Sequence, residues 1–202
     1  MVKYKAILIF GPPGIGKGTQ AKLLGKLNYF FHFSTGDMFR ALKNDSIMRD
    51  SEIGKEIIST MDAGKLISDK LTTDLFFKTL DNYEKEKKFN SKEQILILDG
   101  IPRNVPQIGL IKDKVEVIKI ISLFSSDNEV LAERIEKRAV LEGRKDDTRE
   151  VLKERLKTYE KETKKILEKY PKENIIEVDG FGTIENIQEE ILEKLEQEGL
   201  IK

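Results

Sequence analysis

The segment best suited to chemistry is GPPGIGKGTQ, residues 11–20. Gly11, Gly16 and Lys17 fit the phosphate-binding pattern G-x-x-x-x-G-K-[ST]. Gly18 then stands where the pattern asks for a hydroxyl, and Thr19 follows one place later. Glycines permit the turns that let backbone N–H groups from Gly14, Ile15 and Gly16 through to Thr19 converge on an anion. A helix beginning near Lys17 adds its positive end. Lys17 reaches the outer phosphates as a point charge. The plain alternative is a glycine-rich turn between strand and helix. The complete spacing and the flanking elements weigh against it. The displaced hydroxyl leaves Thr19 to phosphate and magnesium to be held mainly through water.

Such a loop needs a strand before it and a helix after it, and both are readable. KAILIF (5–10) is a short apolar run of the kind that forms a buried parallel strand. TQAKLLGKLNYF (19–30) has apolar residues at helical spacing. Further strands are expected at QILILDG (94–100), VEVIKIISLF (115–124), IIEVDG (175–180) and, shorter, HFST (32–35). Helices are expected at GDMFRALK (36–43), 69–88, 128–143, 146–170 and 183–199. Strands alternating with helices imply βαβ units and a parallel sheet. The expected fold class is α/β, with about five parallel strands flanked by helices. In the last helix Ile184, Ile187, Ile191, Leu192 and Leu195 form one packing stripe. The charged run NYEKEKKFNSKEQ reads as a solvated loop or helix end. His32, the single histidine, reads as a strand-end packing residue.

Bulk composition narrows the classes. The chain has 202 residues, enough for one α/β domain with small inserted lobes. Lys plus Arg and Asp plus Glu are each 36, so the net charge is zero and any anion site must be built locally. No broad nucleic-acid or membrane footprint is expected. There is no cysteine, hence no disulfide and no Cys-based zinc site. No apolar stretch approaches the roughly 20 residues that span a bilayer. A soluble cytoplasmic monomer is the default expectation.

The remaining chemistry is carried by arginine. Arg40, Arg103, Arg134, Arg138, Arg144 and Arg155 are suggestively placed, although any one arginine is more often a solvated surface residue. Guanidinium forks suit phosphates. GPPGIGKGTQ resembles the loop of adenylate kinases and other nucleoside monophosphate kinases, in which Gly then Thr after the lysine is the usual form. STGDMFR (34–40), AGKLISD (63–69), DGIPRNVPQ (99–107) and GRKDDTREVLKERL (143–156) resemble that family's other motifs in the same order. Together they span residues 6 to about 182.

The resemblance implies roles. On the acceptor side, Thr35 and Gly36 open the AMP-binding segment, with Thr35 facing adenine and Arg40 the phosphate. Lys65, Leu66 and Ile67 line the AMP site, and Gly100, Ile101, Pro102 and Arg103 pass beneath it. Gln107 reads the adenine edge. On the donor side, Gly14 to Thr19, Arg134, Arg138 and Gly182 contact ATP. Arg144 from the lid and Arg155 from its following helix swing onto the transferring phosphate and count among the AMP-binding residues. The catalytic set is then Lys17, Arg103, Arg138, Arg144 and Arg155, with Asp99 holding Mg²⁺ through water and Asp37 assisting. Asp146 and Asp147 either pair with lid arginines or cap the following helix. The implied lobes are a helical monophosphate lobe at 34–67, a short lid at 138–147 without zinc, and a core from 1–33, 68–137 and 148–202. The implied reaction is ATP plus AMP giving two ADP.

Two residues depart from the family's usual DGFPRT. Ile101 replaces an aromatic, and Asn104 resembles the form in UMP/CMP kinases. Thr35 and Gln107 favour adenine, where pyrimidine relatives tend to carry alanine and asparagine. The alternatives are a UMP/CMP kinase, or a P-loop nucleotide-binding module that transfers no phosphate to a nucleotide.

Overall fold

The computed structural model describes residues 4–125, 128–143 and 147–201. Five strands, β1 (Tyr4–Phe10), β2 (Phe30–Ser34), β3 (Ile95–Asp99), β4 (Val115–Phe124) and β5 (Ile175–Asp179), form one parallel sheet in the order β2-β3-β1-β4-β5. The expected parallel α/β sheet is therefore present. β1 alternates its side chains between the two faces. Ala6, Leu8 and Phe10 enter one apolar cluster, and Ile7 and Ile9 enter the other. A strand buried on both faces must be apolar throughout, and KAILIF is.

Nine α-helices are described: α1 (Lys17–Leu24), α2 (Thr35–Asn44), α3 (Ser46–Asp50), α4 (Glu52–Asp62), α5 (Asp69–Lys85), α6 (Val105–Ile111), α7 (Asn128–Glu142), α8 (Arg149–Thr158) and α9 (Ile184–Gln197). Local chemistry sets many of their starts. Ser34, Asp45, Ser51, Asn104, Thr148 and Thr183 each accept a hydrogen bond from a backbone N–H in the first turn of α2, α3, α4, α6, α8 and α9. α3 and α4 meet so closely that a Cβ on Gly54 would lie 1.8 Å from the Met48 carbonyl oxygen.

Several sequence expectations need correction. HFST is not a strand to its end: β2 closes at Ser34, and Thr35 opens α2 because the Ser34 hydroxyl caps that helix. The single helix expected over 146–170 stops at Thr158. Tyr159–Thr163 is a π-helical turn and Lys164–Lys169 a 3₁₀ segment. Tertiary contacts override propensity there, since Thr163 Oγ1 donates to the Arg103 carbonyl and Ile166 is wholly buried. Ile184 leaves the α9 packing stripe and is half-exposed, whereas Ile187, Ile191 and Leu195 are buried. In the charged run, Phe89 is buried against Tyr4 and Phe31 and pins the loop after α5.

Register places the chemistry. Asp99 on β3 pairs with Ile9 of β1 on one side and Ser34 of β2 on the other. All three stand at carboxyl ends of parallel strands, where open α/β sheets bind their ligands. The loop at 11–16, the start of α2 and the turn at Gly100 therefore emerge side by side.

Candidate active site

A cleft of about 840 Å³ opens at these strand ends, within the size range of small-molecule and cofactor sites. It is lined by the 13–20 loop, by Thr35, Gly36 and Arg40, by Gly64 to Ile67, by Asp99, Gly100, Pro102, Arg103 and Gln107, and by Arg134, Arg138, Arg155 and Gly182. Residues scattered over most of the sequence thus converge on one cavity. One expected residue does not: Ile101 lies in the apolar core, 1% exposed. The expectation for Arg144 falls outside the described residues. Met61, Thr72, Tyr159, Thr163 and Ile184 also line the cleft and carried no motif signal, and Phe39, inside STGDMFR, lines it without having been singled out; the exposure of Ile184 at the cleft rim explains why it left the packing stripe.

The loop has the geometry of an anion cradle. Gly16 precedes α1 with φ +105°, a conformation that favours glycine, and no side chain caps the helix. The first-turn N–H groups therefore have no side-chain acceptor and face the cleft. Lys17 Nζ donates to the carbonyls of Gly11 (2.8 Å) and Pro12 (3.0 Å). Burial pushes its ammonium down to about 8, opposed by the Asp99 carboxylate and reinforced by Arg103, Arg138 and Arg155. For Asp99, burial acts to raise the pKa. His32, Lys17 and Arg103 outweigh it and hold the carboxyl below the usual carboxylate range. His32 Nε2 lies 3.9 Å from Asp99 Oδ2, so this histidine sits mid-strand behind the carboxylate and not at a strand end.

The unusual glycine now has a physical reason. A Cβ on Gly18 would come within 3.3 Å of Asp99 Oδ2. A side chain at 18 would press on the carboxylate, which would have to give by a few tenths of an ångström. Gly18→Ala is therefore expected to crowd Asp99 and lower kcat/KM by about tenfold. Alanine is the better helix former, so Tm should hold or rise. Steady-state kinetics beside a thermal melt would check both halves.

The five described arginines of the cleft make four sets of contacts. Arg40 pairs with Asp37 Oδ1 at 2.5 Å. Arg103 reaches back to the Gly100 carbonyl through Nε (3.1 Å). Gly100 has φ +90°, and a Cβ there would lie 2.5 Å from Thr35 Oγ1, which itself donates to the Gly100 carbonyl at 2.9 Å. Only glycine allows that approach. Arg134 donates to the carbonyls of Ile15, Gly180 and Gly182, tying the phosphate loop to the turn after β5. Arg138 grips Asp147 through Nε and Nη2 (2.6 and 2.8 Å), and Arg155 Nη1 reaches the same carboxylate at 2.9 Å. Asp147 is 4% exposed. Of the two roles open to it in sequence, it takes the pairing role, and Thr148 caps α8 instead. Asp146 lies outside the described residues.

Comparison with known proteins agrees with this geometry. Residues 9–175 match the family model described as adenylate kinase. The chain belongs to the adenylate kinase family. It is similar to the adenylate kinase of Prochlorococcus marinus, 35% identical over 194 residues, covering 94% of this chain and 97% of that protein. It is similar also to that of Bifidobacterium longum, 38% identical over 195 residues (94% and 99%), and to that of Stenotrophomonas maltophilia, 36% identical over 191 (92% and 96%). Among the described residues, no helix is long and apolar enough to cross a membrane.

Adenylate kinases use Mg²⁺, and the donor set suits a hydrated ion of that kind. Asp99 is kept ionised beside the phosphate loop. Among the described residues no three His, Asp or Glu side chains gather to form a complete cage. One carboxylate plus phosphates and water is the usual way a protein holds Mg²⁺.

Proposed function

We propose that the protein transfers the terminal phosphoryl group of ATP to AMP, giving two ADP, in this cleft. The observation that carries the reading is convergence. An uncapped glycine-led helix start, Lys17, and arginines from both halves of the chain meet around one cavity at the carboxyl ends of the strands.

The reaction asks little covalent help of the protein and much positioning. The Gly14–Thr19 backbone and Lys17 would hold the donor phosphates, with Arg134 keeping the Gly182 turn against that loop. Arg40 and Arg103 would hold the AMP phosphate, and Lys65, Leu66, Ile67 and the Gly100–Pro102 turn its nucleoside. A phosphate oxygen of AMP attacks the γ-phosphorus in line, and the bond from that phosphorus to the bridging oxygen breaks to release ADP. Arg138, Arg155 and Lys17 neutralise charge on the transferring group. Mg²⁺, held by Asp99 through water, would supply further charge neutralisation on the phosphates. Ile101, whose side chain is core and which does not line the cleft, would only join Gly100 to Pro102 there. Residues 34–67 act as the acceptor lobe, 138–147 as the lid carrying Arg144, and 1–33, 68–137 and 148–202 as the core. The protein works as a cytoplasmic monomer on ATP, AMP and ADP, with no zinc, nucleic acid or membrane involved.

The test is ADP formation from MgATP with each of AMP, dAMP, GMP, UMP and CMP. AMP should be favoured over the pyrimidine nucleotides by at least about a hundredfold, as expected where buried polar groups read the base. A preference for UMP or CMP would overturn the acceptor assignment. No transfer to any acceptor would leave a binding module.

A further inference from the structure

Gln107 is the residue expected to read the acceptor base, yet it is 2% exposed and already engaged on both ends of its amide. Its Oε1 accepts from the Arg103 backbone N–H at 2.7 Å. Its Nε2 donates to Asp69 Oδ1 at 2.8 Å. The same Asp69 oxygen accepts from Asn104 Nδ2 at 2.7 Å. Asn104 in turn caps α6, its Oδ1 accepting from the Gln107 backbone N–H at 2.9 Å. Asp69 is the first residue of α5, so two helices meet at this oxygen.

The chemistry of these partners leaves the amide one orientation. A carboxylate only accepts, so the end of Gln107 facing Asp69 must be the NH₂. A backbone N–H only donates, so the end facing Arg103 must be the oxygen. Rotating the amide by half a turn would set oxygen against carboxylate and NH₂ against N–H. Each end keeps one further valence, since the NH₂ has a second hydrogen and the oxygen a second lone pair. Gln107 lines the cleft, where those valences would meet a ligand.

We infer that Asp69 and Asn104 are specificity-determining positioning residues, which fix the sense of the Gln107 amide and so select a 6-amino over a 6-oxo purine monophosphate. The inference rests on the AMP reading above and names how its base is chosen. A 6-amino purine offers a donor at the exocyclic nitrogen and an acceptor at N1, which an amide of fixed sense can match. A 6-oxo purine offers the reverse pattern and requires the rotated amide. Asn104 also gains a purpose here. Threonine could cap α6, but its one hydroxyl, on a shorter side chain, would have to serve the cap and Asp69 from a single atom, whereas Asn104 uses its Oδ1 for one and its Nδ2 for the other. Asn104 therefore does not signal a pyrimidine site, and its side chain does not line the cleft.

The experiment measures kcat/KM for AMP and for IMP, with MgATP as donor, in the unaltered protein and in Asp69→Ala, Asp69→Asn and Asn104→Thr. The unaltered protein tests the underlying reading, since it must use AMP. In Asp69→Ala the AMP-to-IMP ratio should fall about tenfold or more, the scale of one charge-assisted hydrogen bond. The change should come from IMP gaining relative to AMP and not from a common loss. Asp69→Asn keeps an accepting oxygen and should restore most of the ratio. Asn104→Thr should lie between Asp69→Ala and the unaltered protein. A ratio in Asp69→Ala equal to that of the unaltered protein, whatever the absolute rates, would overturn the inference while leaving the AMP reading intact. So would a ratio in Asp69→Asn as low as in Asp69→Ala.

Discussion

Lys17→Met is expected to lower kcat by about a hundred- to a thousandfold, the cost of removing one preorganised charge from a phosphoryl-transfer site. KM should move far less, because the loop backbone and the arginines still bind. The fold should survive the change. The Lys17 ammonium is pushed down to about 8 by burial. Its charge therefore opposes folding at neutral pH, where folded and unfolded chains both carry it. Between about 8 and the ordinary lysine range, the unfolded chain binds the extra proton, so this residue's contribution to stability improves as pH rises through that window. The methionine variant lacks the charge throughout. Its Tm should match or exceed that of the unaltered protein at pH 7, and the gap should narrow towards pH 10. The Gly11 and Pro12 carbonyls lose a donor, which limits the gain. Steady-state kinetics with thermal melts at pH 7 and pH 10 check both parts. A variant that turns over normally would remove Lys17 from the reaction.

The second large effect concerns Asp147. One buried carboxylate holds Arg138 by two hydrogen bonds and Arg155 by a third, which joins α7 to α8 across the start of the latter. Asp147→Ala should cost about 2–4 kcal/mol of stability, toward the lower end of what removing one partner from a buried ion pair costs. The discount arises because Arg138 and Arg155 are a third and a fifth exposed and can recover some water. Activity should fall too, by about tenfold or more, since two guanidinium groups lose the contact that aims them. Adding back binding by raising ATP should not restore kcat. Denaturant melts and saturation kinetics on one preparation separate the two losses. Unchanged stability would show that the arginines find other partners at no cost.

Much of the core was legible because its sequence is over-determined. KAILIF followed by a glycine loop and a helix allows little else, and Asp99-Gly100 closes a strand whose apolar run has a clear end. The α7 arginines were readable in position, since Arg134 and Arg138 share a helical face, but not in function. Arg134 spends three hydrogen bonds on carbonyls of the Ile15 and Gly180–Gly182 backbone, a role that depends on distant turns brought together by the sheet. The pairing of Asp147 was open because a carboxylate before a helix can cap as well as pair. The neighbouring Thr148 decides it by taking the cap. The helix break at Thr158 was invisible, for no Gly or Pro marks it; it follows from Thr163 reaching Arg103 and Ile166 entering the core. Ile101 looked like a site residue by its place in a motif, yet it lies beyond the end of β3, after the positive-φ turn at Gly100, and its side chain enters the core cluster of Leu96 and Leu98. Asp69 stood at the end of AGKLISD, and nothing in sequence pairs it with a residue 38 positions later.

The most direct measurement uses ATP labelled at the γ-phosphate, mixed with AMP, Mg²⁺ and the protein, and follows the label. Direct transfer predicts label in the β-phosphate of ADP, two ADP formed per ATP consumed, and loss of both signals in Lys17→Met. Label appearing in inorganic phosphate, with AMP unconsumed, would contradict the account and make the cleft a hydrolase or a nucleotide switch.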